Sequence, residues 1–413
     1  MTTEAIQLTS EQIKTSRNSK MVFTEWQVSD KVFYGLLAII GLFILAAAIS
    51  FFYVEHHGHY VTGMNNQVVW GMPHVFAIFL IVAASGAANI GSLGTVFNKK
   101  EYQPLGRLSL VMAMALLLGG LAVLVLDLGH ADRLIIAMTY YNFKSIFAWN
   151  IILYNGFLVI MAVYLWSMID RQKLAKKFYK PLGYIGFMWR FILTTGTGSI
   201  FGFLVARQYY DAAILAPLFI AASYVFGTAC FILGLVFFYR VSQSELGQDI
   251  QNRLRYTLAI FIVLVLFFEM VRHLTNLYAT EHHGVEAYIL SGGDKITWLF
   301  WLGQVLLGSL LPLLLIWLPS LKNNQKALLS AAGLAIFGGF NQLYVIIVGG
   351  QLYPLALFPN ASVESTFADG VVATYSASLP EMALGIGGVA LSALVVVIAV
   401  KVLRLLPERL QDE

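Results

Sequence analysis

The chain has 413 residues, 59% of them hydrophobic and 12% charged, with a mean hydropathy of +0.75. Soluble domains run about 45–50% apolar and about 25% charged, so an ordinary water-soluble enzyme is excluded. The net charge of +4 is too small to indicate a nucleic-acid partner. The single cysteine, Cys230, excludes a disulfide framework, a Cys-ligated iron–sulfur cluster and a covalent c-type haem within this chain.

A polar arm, 1–31, precedes ten apolar segments, each able to supply the about 20 residues of a bilayer crossing. They lie at roughly 32–54, 68–97, 105–128, 146–169, 182–206, 212–239, 256–280, 296–318, 326–349 and 381–403. No small-residue cleavage site follows the first, so it reads as a retained helix. The expected protein is all-α and integral to the membrane, with a ten-helix domain over 32–406 and a short tail, 407–413. The arm, the connections after even-numbered helices and the tail hold 20 of the 26 Lys and Arg residues. The positive-inside rule therefore places both termini in the cytoplasm. All eight histidines then fall on or near the outer face.

Ionisable groups within spans face a bundle interior or a watery cavity, which makes each a functional candidate. In the second segment His74 follows Trp70 and Pro73, about a turn and a half in, where a neutral imidazole could bond a quinone carbonyl or accept a quinol proton. An interfacial histidine bonded to a neighbouring carbonyl is the plainer alternative. The third segment ends in LVLDLGHADR, placing Asp127 beside His130, Asp132 and Arg133. That group could trade protons and hold an oxygen-bearing head group, or simply cap the helix with an ion pair. The fifth is the weakest span and the one persuasive broken helix, carrying Arg190 and the run Thr194-Thr195-Gly196-Thr197-Gly198-Ser199. Arg190, Thr194, Thr197 and Phe201 follow helical spacing, so the stripe either packs helices closely or lines a half-channel for protons.

On the seventh segment Glu269, Arg272 and His273 share a face at spacings of three and four. They make either a self-satisfied polar network or a proton relay to the outer surface. Glu55-His56-His57-Gly58 after the first segment is echoed by Glu281-His282-His283-Gly284 after the seventh. Adjacent histidines do not converge, so this echo suits partner docking better than a metal. The long outer connection, about 350–380, is a further docking candidate. No Walker, GxGxxG-plus-acid, HExxH or Ser/His/Asp signature occurs in a supporting context. A haem held by His74 and His273 stays open.

The stretches WGMPHVFAIFLIVAASGA, LVLDLGHADR, YYNFKSIFAWN and TTGTGSIFGFLVARQ, in that order, resemble the NrfD/polysulfide-reductase-type membrane subunits. The likeness runs from about residue 21 to the C-terminus. Its DsrP branch, the ten-helix subunit of the membrane complex associated with dissimilatory sulfite reductase, is nearest in pattern. The resemblance implies exchange of electrons and protons with menaquinone or ubiquinone in a bacterial or archaeal cytoplasmic membrane. It further implies a periplasmic iron–sulfur partner, a multihaem cytochrome c and other membrane and cytoplasmic subunits, with a haem b undecided. By position it assigns quinone to His74, Asp127, His130, Asp132 and Arg133. Trp149 and Asn150 match the fourth-helix element of the family pattern. Where many relatives read Asp-Leu-Gly-Arg-Pro-x-Arg, this chain has His130 and Ala131, which replaces a permanent charge with a titratable one. A secondary transporter or proton-conducting subunit, and a purely structural anchor, are the competing expectations.

Overall fold

The structure, a computed structural model, describes residues 22–170, 172–355, 370–408 and 410. Most of the polar arm, the middle of the 350–380 connection and part of the tail lie outside the described residues. Ten long helices dominate: α1 (Asp30–His57), α2 (Met72–Thr95), α3 (Gly106–Leu126), α4 (Ile146–Ile169), α5 (Lys173–Gly202), α6 (Leu215–Val241), α7 (Gln248–Tyr278), α8 (Lys295–Trp317), α9 (Gln325–Leu352) and α10 (Leu379–Val402). Among the described residues, nine are long and apolar enough to cross a membrane, and α5, which begins in a lysine-rich stretch, is the tenth long helix. The chain is thus an all-α, multi-pass integral membrane protein.

Each expected segment coincides with one of these helices, but hydropathy misplaces three starts. α5 begins at Lys173 rather than about 182, and α7 at Gln248 rather than about 256. Both carry polar turns beyond the apolar stretch, which only tertiary contacts reveal as helical. α2 starts at Met72, so His74 stands in its first turn, with Pro73 in the early-helix position that suits proline.

The expectation of a broken fifth helix is corrected, since α5 runs unbroken through the Thr-Gly stretch. Thr194 and Thr197 turn their hydroxyls back onto the carbonyls of Arg190 (2.8 Å) and Leu193 (3.0 Å), satisfying themselves within the helix. Gly196 and Gly198 lie against Leu153 and Asn150 on one side and Leu215 and Ala216 on the other. Glycine therefore serves close approach there, as is usual between membrane helices.

α2 is the buried axis, packed by α3, α5, α6 and α10, while α1 leans mainly on α10. Its approach to α6 is tightest at Gly86 and Gly227, where an added Cβ would collide with the backbone of the opposite helix. At one end of the molecule Phe23–Thr24 pairs antiparallel with Leu406–Pro407. Trp26 is buried beside them, donating its indole N–H to the Phe238 carbonyl at 3.2 Å. The opposite end gathers the connections after odd-numbered helices and is termed outer here, following the expected sidedness.

Candidate functional site at the outer ends of α2 and α3

Near the outer end a cavity of about 630 Å³ opens between α2, α3, α4 and α5. Its walls are apolar, with Ile78, Leu121, Leu124, Ile151 and Ile200 among them, and its polar groups are few: His74, Asp127, Asn150, Tyr154 and Asn155. Such a ratio suits a ligand with a long apolar body and a small polar head.

α3 ends at Leu126, and Asp127 occupies its C-cap. Gly129 then takes a φ of +76°, turning the chain out of the helix. The His59 ring rests against Gly129 and donates from Nε2 to the Asp127 carbonyl at 3.1 Å. The Asp127 side chain is 2% exposed, and its Oδ2 lies 3.1 Å from His74 Nδ1. The two groups are close but poorly aligned. Neither carboxylate oxygen, nor His74 Nδ1, has a hydrogen-bond partner among the described residues. A buried carboxylate left so is costly, and a hydroxyl-bearing ligand entering the cavity would relieve it. The orphaned acceptors and apolar walls fit a quinol head group and its tail.

The indole of Trp70 forms part of the wall, 6.2 Å from the His74 ring and edge-on to Phe201 at 5.6 Å. Gln351 of α9 fixes this wall. Its Oε1 accepts from Val69 N (2.9 Å) and Trp70 N (3.1 Å), and its Nε2 donates to the Trp70 carbonyl at 2.9 Å. The start of α2 is anchored a second way: the Tyr375 hydroxyl accepts from Met72 N and donates to Glu381 Oε1, both at 2.6 Å. Glu381 Oε2 accepts from Gly63 N and Ser378 N. Burial and the neighbouring Glu381 push the Tyr375 hydroxyl well above its ordinary range, which keeps it a donor. Sequence reasoning misses both Gln351 and Glu381, because each lies about 280–320 residues from the loop it secures.

From the inner end of the cavity a buried polar line descends along α5. Asn150 donates to the Gly196 carbonyl at 3.1 Å, and Thr197 Oγ1 lies 3.5 Å from both Asn150 Oδ1 and the Tyr154 hydroxyl. One turn further, Thr194 meets Ser85 Oγ at 2.7 Å, and Arg190 donates to Asn89 Oδ1 at 2.7 Å. Closer to the inner end, Thr95 bonds the hydroxyls of Tyr164 and Tyr179. The expected alignment of Arg190, Thr194 and Thr197 is therefore present, joined by residues of α2 and α4.

Several expected members stand elsewhere. His130 and Asp132 are 3.7 Å apart at the surface, each well exposed, and like Arg133 they are not part of the cavity wall. Past Gly129 the chain turns outward, so only Leu134 and Met138 of the following segment return to the cavity. Trp149 points away, exposed, donating to the Phe143 carbonyl at 2.9 Å, while its neighbour Asn150 faces inward. Glu269 and His273 form a separate cluster on α7, so His74 and His273, weighed as a haem pair, are each engaged by a different carboxylate. In the two Glu-His-His-Gly stretches the second histidine has a local role. His57 and His283 bond the carbonyls of Tyr53 and Leu277, closing the preceding helix.

A polytopic helical protein with a ligand-sized apolar cavity under a buried His–Asp pair is the class these features define. The polysulphide reductase NrfD family profile matches residues 60–355, and the chain belongs to that family. It is 28% identical, over 93% of its length and 96% of the relative's, to the Hdr-like menaquinol oxidoreductase integral membrane subunit of Archaeoglobus fulgidus. It is 25% identical to a selenate reductase subunit of Mesobacillus selenatarsenatis, covering 75% of this chain and 79% of that one. To protein NrfD of Escherichia coli it is 22% identical, covering 69% and 96%.

Proposed function

We propose that this chain is the quinone-interacting membrane subunit of a respiratory electron-transfer complex, and that quinol is oxidised, or quinone reduced, in the cavity at His74 and Asp127. The observation that carries this reading is the buried carboxylate opening onto an apolar cavity, whose two oxygens stand within ion-pair reach of His59 and His74 yet accept no hydrogen bond among the described residues. The name of the Archaeoglobus relative, a menaquinol oxidoreductase subunit aligned over nearly its whole length, agrees with it.

In the oxidative direction Asp127 and His74 accept the two hydroxyl protons, and the two electrons leave to a metal centre of a partner protein at the outer face. Reduction reverses both. The polar line through Asn150, Thr197, Thr194 and Arg190 offers protons a route toward the inner end, so transfer across part of the membrane belongs to the proposal. The finer assignments follow the sequence pattern: a DsrP-type subunit of sulfur metabolism, a periplasmic iron–sulfur partner, a multihaem cytochrome c, and residence in the cytoplasmic membrane with both termini inside.

Proton transfer by positioned groups typically contributes about 10²–10⁴-fold to a rate. His74→Ala and Asp127→Asn in the reconstituted complex are each expected to cut quinone-dependent electron transfer by at least about 10²-fold and to weaken quinone binding. Retention of both rate and affinity in both variants overturns the assignment.

A further inference from the structure

The cluster on α7 is separate from the cavity and more deeply enclosed. Glu269, Arg272 and His273 are each more than nine-tenths buried, as is Glu286 on the short outer helix His283–Ser291. Glu269 Oε1 is saturated by two amide donors, Gln304 of α8 at 2.9 Å and Gln342 of α9 at 2.7 Å. Its Oε2 has no hydrogen-bond partner among the described residues, and nor do Arg272 Nη1 and His273 Nε2. Those two atoms stand 3.8 and 3.6 Å from Oε2. These separations are too long for direct hydrogen bonds, and the three atoms supply the two to four polar partners that a bridging water needs. On its other side His273 Nδ1 bonds Glu286 Oε2 at 2.7 Å, and Asn276 donates to Glu286 Oε1 at 2.7 Å. Arg272 donates to the Tyr209 carbonyl at 2.8 Å, its guanidinium lies over the Tyr209 ring, and the Phe300 ring meets that of His273 edge-on with centroids 4.8 Å apart.

We propose that this cluster is a proton-exchange site, distinct from the quinone cavity, that shares one exchangeable proton between His273 and Glu269 through a bound water beside Arg272 and trades it with the outer face through Glu286. Charge bookkeeping sets the count. Two carboxylates and one guanidinium leave a net charge of −1 while His273 is neutral, and uptake of a single proton neutralises the site. In a low-dielectric interior the neutral total is favoured. Direction follows from position. A cleft of about 310 Å³ at the outer end is bounded by Leu277, His283 and Glu286, whereas Glu269 lies a helical turn deeper than His273. Burial works against the Glu286 charge, but the bonds from His273 and Asn276 and the Arg272 charge outweigh it. Glu286 is therefore held below the ordinary carboxylate range and stays ionised.

The test is independent of the quinone reading, since it uses no quinone. The full-length protein, purified in its native assembly, is titrated by infrared difference spectroscopy in H₂O and D₂O. Among the titrating, deuterium-sensitive imidazole–carboxyl features, one is expected to be lost in Glu269→Gln and His273→Gln and retained in His74→Ala. In Glu286→Gln the imidazolium loses its anionic partner, so the midpoint falls by about one pH unit or more. Persistence of the feature in both α7 variants, or its loss in His74→Ala, overturns the proposal. If the α7 variants do not assemble, the wild-type density map decides. Water bounded by Glu269, Arg272 and His273 supports the site, and a direct Glu269–Arg272 pair with no water overturns it.

Discussion

The Asp127 carboxyl and the His74 imidazole approach to 3.1 Å without forming an aligned bond, an arrangement with more use for a ligand than for the fold alone. A pair kept for stability alone would close on itself, because breaking a buried pair costs about 3–5 kcal/mol. His59 contributes by holding the Asp127 backbone, and Asn150 and Tyr154 extend the polar surface toward α5. His130, by contrast, is surface-exposed and pairs only loosely with Asp132. Its replacement of an arginine in the family pattern therefore suggests a pH-sensitive step only while the sequence is read alone. His130→Arg is expected to leave the pH profile of quinone-dependent turnover unchanged. A displaced profile would return His130 to the site. Asp127 and His74 are legible in the sequence because each stands in a short motif at a helix end. His59 is not, since its partner lies 68 residues away.

At the scale of elements, the cavity depends on how the start of α2 is held. Gln351 satisfies two N–H groups and one carbonyl of the Val69–Trp70 segment, and Glu381 with Tyr375 secures Gly63 and Met72. Gln351→Leu leaves those groups unpaired, at a cost of about 1–3 kcal/mol for each buried one. Looser quinone binding is expected, measured as a raised KM, with the chemistry of the bound state less affected. A loss confined to kcat would show that Gln351 acts otherwise. A glutamine in an apolar span is visible in the sequence, but its partners are fixed only when α9 packs beside α2. α5 shows the converse. Its polar run reads as a break, yet back-bonded threonines and close-packed glycines keep it helical.

For the molecule as a whole, the Lys and Arg asymmetry and the ten long helices among the described residues agree with the pairing of Phe23–Thr24 with Leu406–Pro407 at one face. With Cys230→Ser as background, Tyr140→Cys on the outer connection is expected to react with an impermeant maleimide in intact cells. Ser244→Cys, on the connection after α6, is expected to react only after the membrane is opened. The reverse pattern would invert the orientation and, with it, the side on which the proposed electron partner docks.

Composition and hydropathy by themselves determined that this is a membrane protein, roughly where its helices run and that its histidines gather at one end of them. Transfer of apolar side chains into lipid is a local property, additive along the chain. Which polar groups meet is not local. The tertiary structure alone decided that Asp127 faces His74 across a cavity, that Trp149 turns away while Asn150 turns in, and that Glu286 from a short outer helix completes the α7 cluster. Those encounters depend on the packing and rotation of helices, and α3 and α4 among them have nearly the same hydropathy on every side. A handful of buried hydrogen bonds between distant residues fixes that choice.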